Sequence, residues 1–253
     1  DLDAFHEALK GPVKILALTS ISNAFGTVNP IAEMTRAAKA AGAIVLIDAA
    51  QSIAHLPTDV QSIGADFLAF SGHKIYAPTG IGILWGRKNL LEELPPWQGG
   101  GEMIKEVTFD HTTYNDPPFK YEAGTPNIEG AVALAAAIDY VNRIGLDQIH
   151  AHEASLIRHA ADAISHIPGI RLYGPADRSG SLSFNIEGLH HYDIGTLLDQ
   201  MGVAVRTGHH CCQPLMKRFG ITGTIRASFA LYNTEEEINT FAQSLEKAVG
   251  MLR

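Results

Sequence analysis

Cysteine is nearly absent from this chain: its two residues, Cys211 and Cys212, are sequence neighbours. A disulfide framework needs cysteines well separated along the chain, so a stapled secreted domain is excluded and a reducing, cytoplasmic setting is the expectation. Basic blocks are missing too. The net charge is −8 with no run of lysine or arginine, which removes the positive footprint of a nucleic-acid binder. Long apolar runs are also missing. The most apolar helical stretch, Ala131 to Val141, is interrupted by Asp139, and nothing approaches the roughly 20 apolar residues of a membrane-spanning helix. The opening Asp-Leu-Asp-Ala-Phe-His has neither the basic start nor the apolar core of a signal peptide. Internal repeats and low-complexity tracts are not found.

What is present describes an ordinary globular protein. A hydrophobic share of 46% with 18% charged residues rules out a disordered chain, and 253 residues suffice for one large domain or two modest ones. The first part alternates strand and helix. Val13 to Ser20, Ala43 to Ala50, Asp66 to Ser71 and Gly80 to Trp85 read as apolar strands, and Pro30 to Ala41 has helical spacing with Pro30 suited to a first turn. Continuous apolar strands separated by helices predict an α/β fold, a mostly parallel sheet with helices on both faces. Pro95 to Asn127 is irregular and too long for a simple connector, which marks it as functional or as covering an interface. A long helix starts at Thr125-Pro126 and stops at Gly145; a second runs from near Asp147 to before Pro168-Gly169. Beyond lie short strands at Gly180 to Ile186, Val203 to Arg206 and Thr224 to Phe229, with helices near Asp193 and after Asn233-Thr234. The expected division is a larger domain over 1–144 and a smaller C-terminal α/β domain over 145–253.

Ligands of parallel sheets sit beyond the carboxyl ends of the strands, and there the chain places Asp48 and Ser71-Gly72-His73-Lys74. Most lysines are solvated surface charges. Lys74 instead follows an apolar strand and a glycine, a setting suited to Schiff-base formation. Asp48 has two readings of equal weight, a helix N-cap with Gln51 in the first turn, or a carboxylate facing a cationic ring nitrogen. Pyridoxal phosphate calls for both a lysine at its aldehyde and an acid at its ring nitrogen. The pair therefore says more than either residue alone.

The sharpest local signal is Arg206-Thr207-Gly208-His209-His210-Cys211-Cys212-Gln213-Pro214. A zinc site is one rival, although four consecutive residues converge poorly on one tetrahedral ion. A bland buried cysteine is the other. Against it, the thiols stand in a polar, glycine-broken loop beside two histidines and an arginine, surroundings that suit a reactive thiol. Arg226, inside the otherwise apolar Thr224 to Phe229, is either a residue of the wet face or a fork for a carboxylate.

These residues, with Ser22 to Thr27, Asp48 to Ser52, Tyr121 to Pro126 and Tyr232-Asn233-Thr234, give the chain a resemblance to the class V aminotransferase fold. More narrowly it resembles the SufS-type cysteine desulfurases, also described as selenocysteine lyases. The matching motifs run through nearly the whole chain in family order. The resemblance implies that Lys74 carries pyridoxal phosphate, that Asp48 pairs with its ring nitrogen and that Asn23 and Gln51 contact its phenolic oxygen. It further implies that Ser71 and His73 bind the phosphate, and that Gly124 and Thr125 reach the phosphate of the partner subunit in a homodimer. Arg226, with Arg206 beside it, would take the substrate carboxylate, and Cys211 would carry the persulfide. Cys212 stands where the family usually has alanine.

The implied reaction converts L-cysteine, or L-selenocysteine, to alanine and passes the sulfur to an acceptor of the SufE or SufU type for iron–sulfur cluster assembly. Other class V reactions (transamination, epimerisation, kynurenine cleavage) need Lys74 and Asp48 but no loop thiol. Family members also carry a long portion before the equivalent of Asp1, with a residue that stacks on the ring and further phosphate ligands. The sequence therefore reads as part of such a protein. The expectation is that it binds cofactor weakly by itself, or serves as a non-catalytic fragment that folds with a partner.

Overall fold

The computed structural model describes all of residues 1–253. In chain order the elements are α1 (Leu2–Ala8), β1 (Ile15–Thr19), α2 (Ile31–Ala40), β2 (Ile44–Asp48), α3 (Val60–Ile63), β3 (Phe67–Ser71), β4 (Gly82–Gly86), α4 (Lys88–Glu93), β5 (Ile104–Val107), β6 (Thr112–Tyr114), α5 (Ile128–Ile144), α6 (Leu146–Ile164), β7 (Ile170–Tyr173), β8 (Ser181–Ile186), α7 (His191–Gln200), β9 (Arg206–Gly208), α8 (Gln213–Phe219), β10 (Thr224–Ser228) and α9 (Glu235–Leu252). They form two compact units. One comprises Asp1–Thr19, Pro30–Ala54 and Thr58–Arg143, the other Ser20–Asn29, His55–Pro57 and Ile144–Arg253. The expected single cut between 144 and 145 is thus replaced by a discontinuous division. Ser20–Asn29 goes with the second unit because its backbone is bonded there: Ser179 donates its N–H to the Gly26 carbonyl at 2.9 Å.

The first unit is built on a four-stranded sheet in the order β1-β2-β3-β4. β1, β2 and β3 run parallel and β4 closes the sheet antiparallel to β3. Its core is small and rich in alanine: Ala38, Ala43, Val45, Ile47, Ala49, Ala65 and Leu68 are buried together. Val45 and Ile47 are sealed while Ile44 and Leu46 are half-buried, the period-two pattern of a strand with one face more deeply covered. Asp66 leads into β3. Burial works against its charge, but the hydrogen bond from Lys39 at 2.5 Å, the Val45 N–H at 2.9 Å and the Arg87 guanidinium at 3.0 Å outweigh it and hold the carboxyl below its ordinary range. The segment expected to be irregular, Pro95 to Asn127, contains an antiparallel hairpin, β5–β6. The Thr108 hydroxyl ties its turn, accepting from the N–H groups of Asp110 and His111.

The second unit carries a four-stranded sheet in the order β7-β8-β10-β9, antiparallel throughout. Residues of α6, α7 and α9 pack on it, with Leu156, Leu182, Phe184, Ile194, Leu198, Ile225 and Leu245 almost wholly removed from water. Each such side chain contributes roughly 1.5–3 kcal/mol. α5 and α6 are separated by Gly145 at φ 93°, a left-handed position that glycine adopts without a Cβ clash. α9 begins with a capping box, in which Thr234 accepts from the Glu237 N–H and the Glu237 side chain reaches back to the Thr234 N–H. Within this unit two elements lie outside the sequence expectation, β7 and α8 with Pro214 in its first turn, as do α1, α3 and α4 in the first unit. β9 begins at Arg206 rather than ending there.

Candidate active site

In the first unit, parallel pairing of β2 and β3, with Asp48 opposite Ala69, brings both carboxyl ends to the same edge of the sheet. Asp48 ends β2 as an exposed residue, and its Oδ1 accepts the Ala50 N–H at 2.8 Å. That bond closes a turn, and the α-helical N-cap reading of Asp48 is not realised. β3 ends on Ser71 and runs into a single 3₁₀ turn, Gly72–Ile75, which carries His73 and Lys74 and is closed by Tyr76 at φ 67°. Gly72 allows this turn to lie against the next strand, since a Cβ there would come within 2.8 Å of Ile81 Cγ2. Ser71 Oγ and His73 Nδ1 are bonded at 2.8 Å. Lys74 is partly exposed, and Gln51 likewise in the turn after Asp48. Gly124 and Thr125 belong to a separate loop before α5, where the Gly124 N–H donates to the Gly101 carbonyl at 2.9 Å.

An exposed carboxylate and a lysine at the ends of adjacent parallel strands fit pyridoxal phosphate. Lys74 would hold it by the aldehyde, Asp48 would face its ring nitrogen, and Ser71 and His73 would offer hydroxyl and imidazole to its phosphate. Asn23, expected among these ligands, belongs to the second unit, where its side-chain amide is engaged with the cysteine loop.

That second group is held on β9 and β10. Antiparallel register sets Arg226 directly opposite Arg206, a pairing of like charges that costs stability unless an anion lies between or beside them. Arg226 is half-buried. Its Nη1 donates to the Asn23 carbonyl, while its Nε is buried without a protein partner. Burial first, then the Arg206 charge, weaken its hold on the proton. Arg226 is therefore a half-buried guanidinium inside the sheet and not a residue of the wet face; whatever faces it must be chosen by its remaining N–H groups.

His210 and Cys211 follow in left-handed backbone, at φ 52° and 58°. Conformations of this kind cost about 1 kcal/mol or more for a residue with a Cβ and persist only where surrounding bonds impose them. Here the Asn23 amide donates to the His210 carbonyl at 2.8 Å, and His210 Nε2 meets Thr224 Oγ1 at 2.9 Å. The His209 carbonyl accepts the Cys212 N–H at 2.8 Å, and its Nδ1 accepts the Cys211 N–H at 3.1 Å. His210 is itself sealed from solvent, and its pKa is pushed down to about 4 by burial, then by the charges of Arg226 and Arg206.

The two thiols have different fates. Cys211 is exposed, with Arg206 Nη2 at 3.6 Å from its sulfur. Cys212 packs against the cluster of Ala24, Phe25, Tyr173 and Met216. The buried-cysteine account fits neither fully, since Cys212 is only half-buried and Cys211 is exposed, and no group of three or more His, Cys, Asp or Glu side chains is placed to hold a metal ion. Sequence reasoning did not anticipate the bond between His210 and Thr224. One signal was available: at period two, Thr224 shares a strand face with Arg226.

The chain is similar to known proteins along its whole length. The family model for aminotransferase class V matches residues 1–241. A cysteine desulfurase of Serratia proteamaculans is 49% identical over 253 residues, 100% of this chain and 62% of that protein. Among solved structures, the cysteine desulfurase CsdA of Escherichia coli superposes with a TM-score of 0.95 at 42% identity, covering 99% of this chain and 63% of the other. The apo cysteine desulfurase of Thermococcus onnurineus does so with the same TM-score, identity and coverage. The chain thus spans a little over three fifths of the length of these relatives, 62% in the first case. On the match of its motifs, its sheet and its strand-end lysine and carboxylate, this chain belongs to the class V aminotransferase family.

Proposed function

We propose that the protein is a pyridoxal-phosphate-dependent cysteine desulfurase of the SufS type, converting L-cysteine to L-alanine with transfer of sulfur to Cys211. The observation that carries this reading is the exposed Cys211 thiol, held in left-handed backbone beside Arg206, next to the strand that carries the half-buried Arg226. A class V enzyme that only moves amino groups or protons has no use for such a loop. Named relatives that share the whole chain support the same reaction.

When bound at Lys74 and Asp48, the cofactor supplies an aldehyde for the substrate amine and a ring that accepts electrons from the substrate Cα. The chain does the rest. Arg226 and Arg206 take the substrate α-carboxylate and fix the orientation of the amino acid. Lys74 Nζ would remove the Cα proton as a general base and, as general acid, give a proton back to Cα in the alanine product. Cys211 sulfur attacks the substrate sulfur: the S–S bond forms, the Cβ–S bond breaks, and its electron pair takes up a proton to become the methyl group of alanine. One cysteine and one Cys211 thiol thus give one alanine and one Cys211 persulfide. An exposed Cys211 suits onward transfer to an acceptor protein of the SufE or SufU type, for iron–sulfur cluster assembly in the cytoplasm. Selenocysteine fits the same seat. Gly124 and Thr125, at the surface in the loop before α5, would serve the second site of a homodimer. The test is mass spectrometry of peptides after treatment with L-cysteine and pyridoxal phosphate. One extra sulfur atom on the Cys211 peptide, with alanine released in equal amount, is the expected result; alanine absent and Cys211 unmodified would reject the reading.

A further inference from the structure

The loop that presents Cys211 is tied down by one residue to which none of the chemistry above assigns a part. His210 is sealed, with 2% of its surface exposed, although it stands next to an exposed cysteine. Three bonds converge on it and its neighbours. Its Nε2 meets Thr224 Oγ1 at 2.9 Å, on the strand that also carries Arg226. Its carbonyl accepts from the Asn23 side chain at 2.8 Å. The carbonyl of that same Asn23 accepts from Arg226 Nη1. A continuous path of hydrogen bonds therefore runs from the Arg226 guanidinium, through Asn23, to the residue preceding the thiol.

We propose that His210 is a positioning residue for Cys211: clamped between Thr224 and Asn23, it imposes the left-handed turn that keeps the thiol beside Arg206 and ties that turn to Arg226. Left-handed backbone at both His210 and Cys211 is unfavourable for side chains of this size. It is stable because the bonds on each side of it outweigh the strain. The groups facing the imidazole are Arg226 on β10, Arg206 on β9 and His191 on α7. Two of these are permanent cations, so the ring is kept neutral and can join the Thr224 hydroxyl without bringing a third positive charge into the loop. Released from its clamp, the turn would relax toward right-handed backbone and carry the sulfur away from the Arg206 guanidinium.

The proposal rests on Cys211 as the working thiol, but its test does not need turnover. In a Cys212→Ala background, the protein is loaded with pyridoxal phosphate and Cys211 is alkylated in parallel with iodoacetate, an anion, and iodoacetamide, its neutral analogue. A guanidinium at hydrogen-bond distance should favour the anion by roughly five- to tenfold over a cysteine in an unstructured peptide. Thr224→Val and His210→Ala should each abolish that preference, while Thr224→Ser and His210→Gln, which keep a hydroxyl or a neutral amide in place, should retain most of it. Persulfide formation should fall with the preference while the cysteine concentration for half-maximal rate stays constant. Thermal melts identify any variant that fails to fold; should His210→Ala be one, Thr224→Val carries the test. An unchanged alkylation preference in folded Thr224→Val and His210→Ala would overturn the proposal. A parent protein that shows the preference but forms no persulfide would instead reject the desulfurase reading and leave the positioning role standing.

Discussion

Lowering the pH should loosen the second unit through His210, and the size of the effect follows from its surroundings. An unfolded chain protonates this imidazole near its ordinary value of 6.5, the folded chain only near about 4, because burial and then the charges of Arg226 and Arg206 oppose a third cation. Between those values the unfolded state binds more protons, so stability is fully present above pH 6.5 and is lost as pH falls toward 4. The gap from 6.5 to about 4 corresponds to about 3.5 kcal/mol at roughly 1.4 kcal/mol per tenfold change in proton activity. Such a loss is a large fraction of the stability of an ordinary domain, about 5–15 kcal/mol. The assay is urea unfolding of the wild type and His210→Gln, followed by circular dichroism at several pH values from 7.5 to 4.5. Carboxylates titrate alike in both proteins, so their share cancels in the difference. The stability of the wild type relative to the variant should decline by about 2–3 kcal/mol across the series. A difference that stays flat would refute the argument, since it would mean that the imidazole is protonated in the folded protein or that the loop opens at no cost.

Three further outcomes are expected. Lys74→Ala should remove the borohydride-fixed lysine adduct formed with pyridoxal phosphate, because Lys74 alone among the lysines follows the end of β3 beside Asp48; an adduct of equal yield on another lysine, found by peptide mapping, would contradict it. Cys211→Ser should stop persulfide formation altogether, whereas Cys212→Ala, which trims a side chain packed on the Ala24–Met216 cluster, should change it by less than about twofold and cost about 1 kcal/mol of stability; mass spectrometry that locates the extra sulfur on Cys212 would reverse the assignment. Thr234→Ala should destabilise α9 by about 1 kcal/mol through loss of the capping box with Glu237, read as a lower midpoint in the same urea titration; an unchanged midpoint would show that packing of Phe241 and Leu245 alone fixes the start of the helix.

Local chemistry was enough to write down much of this protein. β2 and β3 are legible because short β-branched and apolar runs end in turn residues, and α5, α6 and α9 because a glycine, an N-cap and a capping box mark their ends. Lys74 and Asp48 follow from the same reading, since residues that end parallel strands are placed at one edge by the sheet itself. Where the information is not local, the sequence is silent. β7 is four residues long with Arg171 inside it, too short for a periodicity to rise above chance, and α8 hides behind Pro214, which reads equally as a loop residue or a first turn. Cys211 and Cys212 have identical chemistry, and only the family resemblance told them apart in the sequence; the structure adds a physical difference, left-handed backbone and exposure at one and an apolar cluster against the other. Arg206 and Arg226 are 20 positions apart in the chain and confront each other only because β9 and β10 pair antiparallel in one register. Asn23 and His210 lie 187 residues apart, so no local window contains both. The sequence by itself determined the segments and the kinds of chemistry they carry, because propensity, patterning and capping act over a few residues. The tertiary structure alone decided which thiol is exposed, which arginine is half-buried and which neighbours oppose a charge on His210, because desolvation and charge act through space between residues the chain keeps far apart.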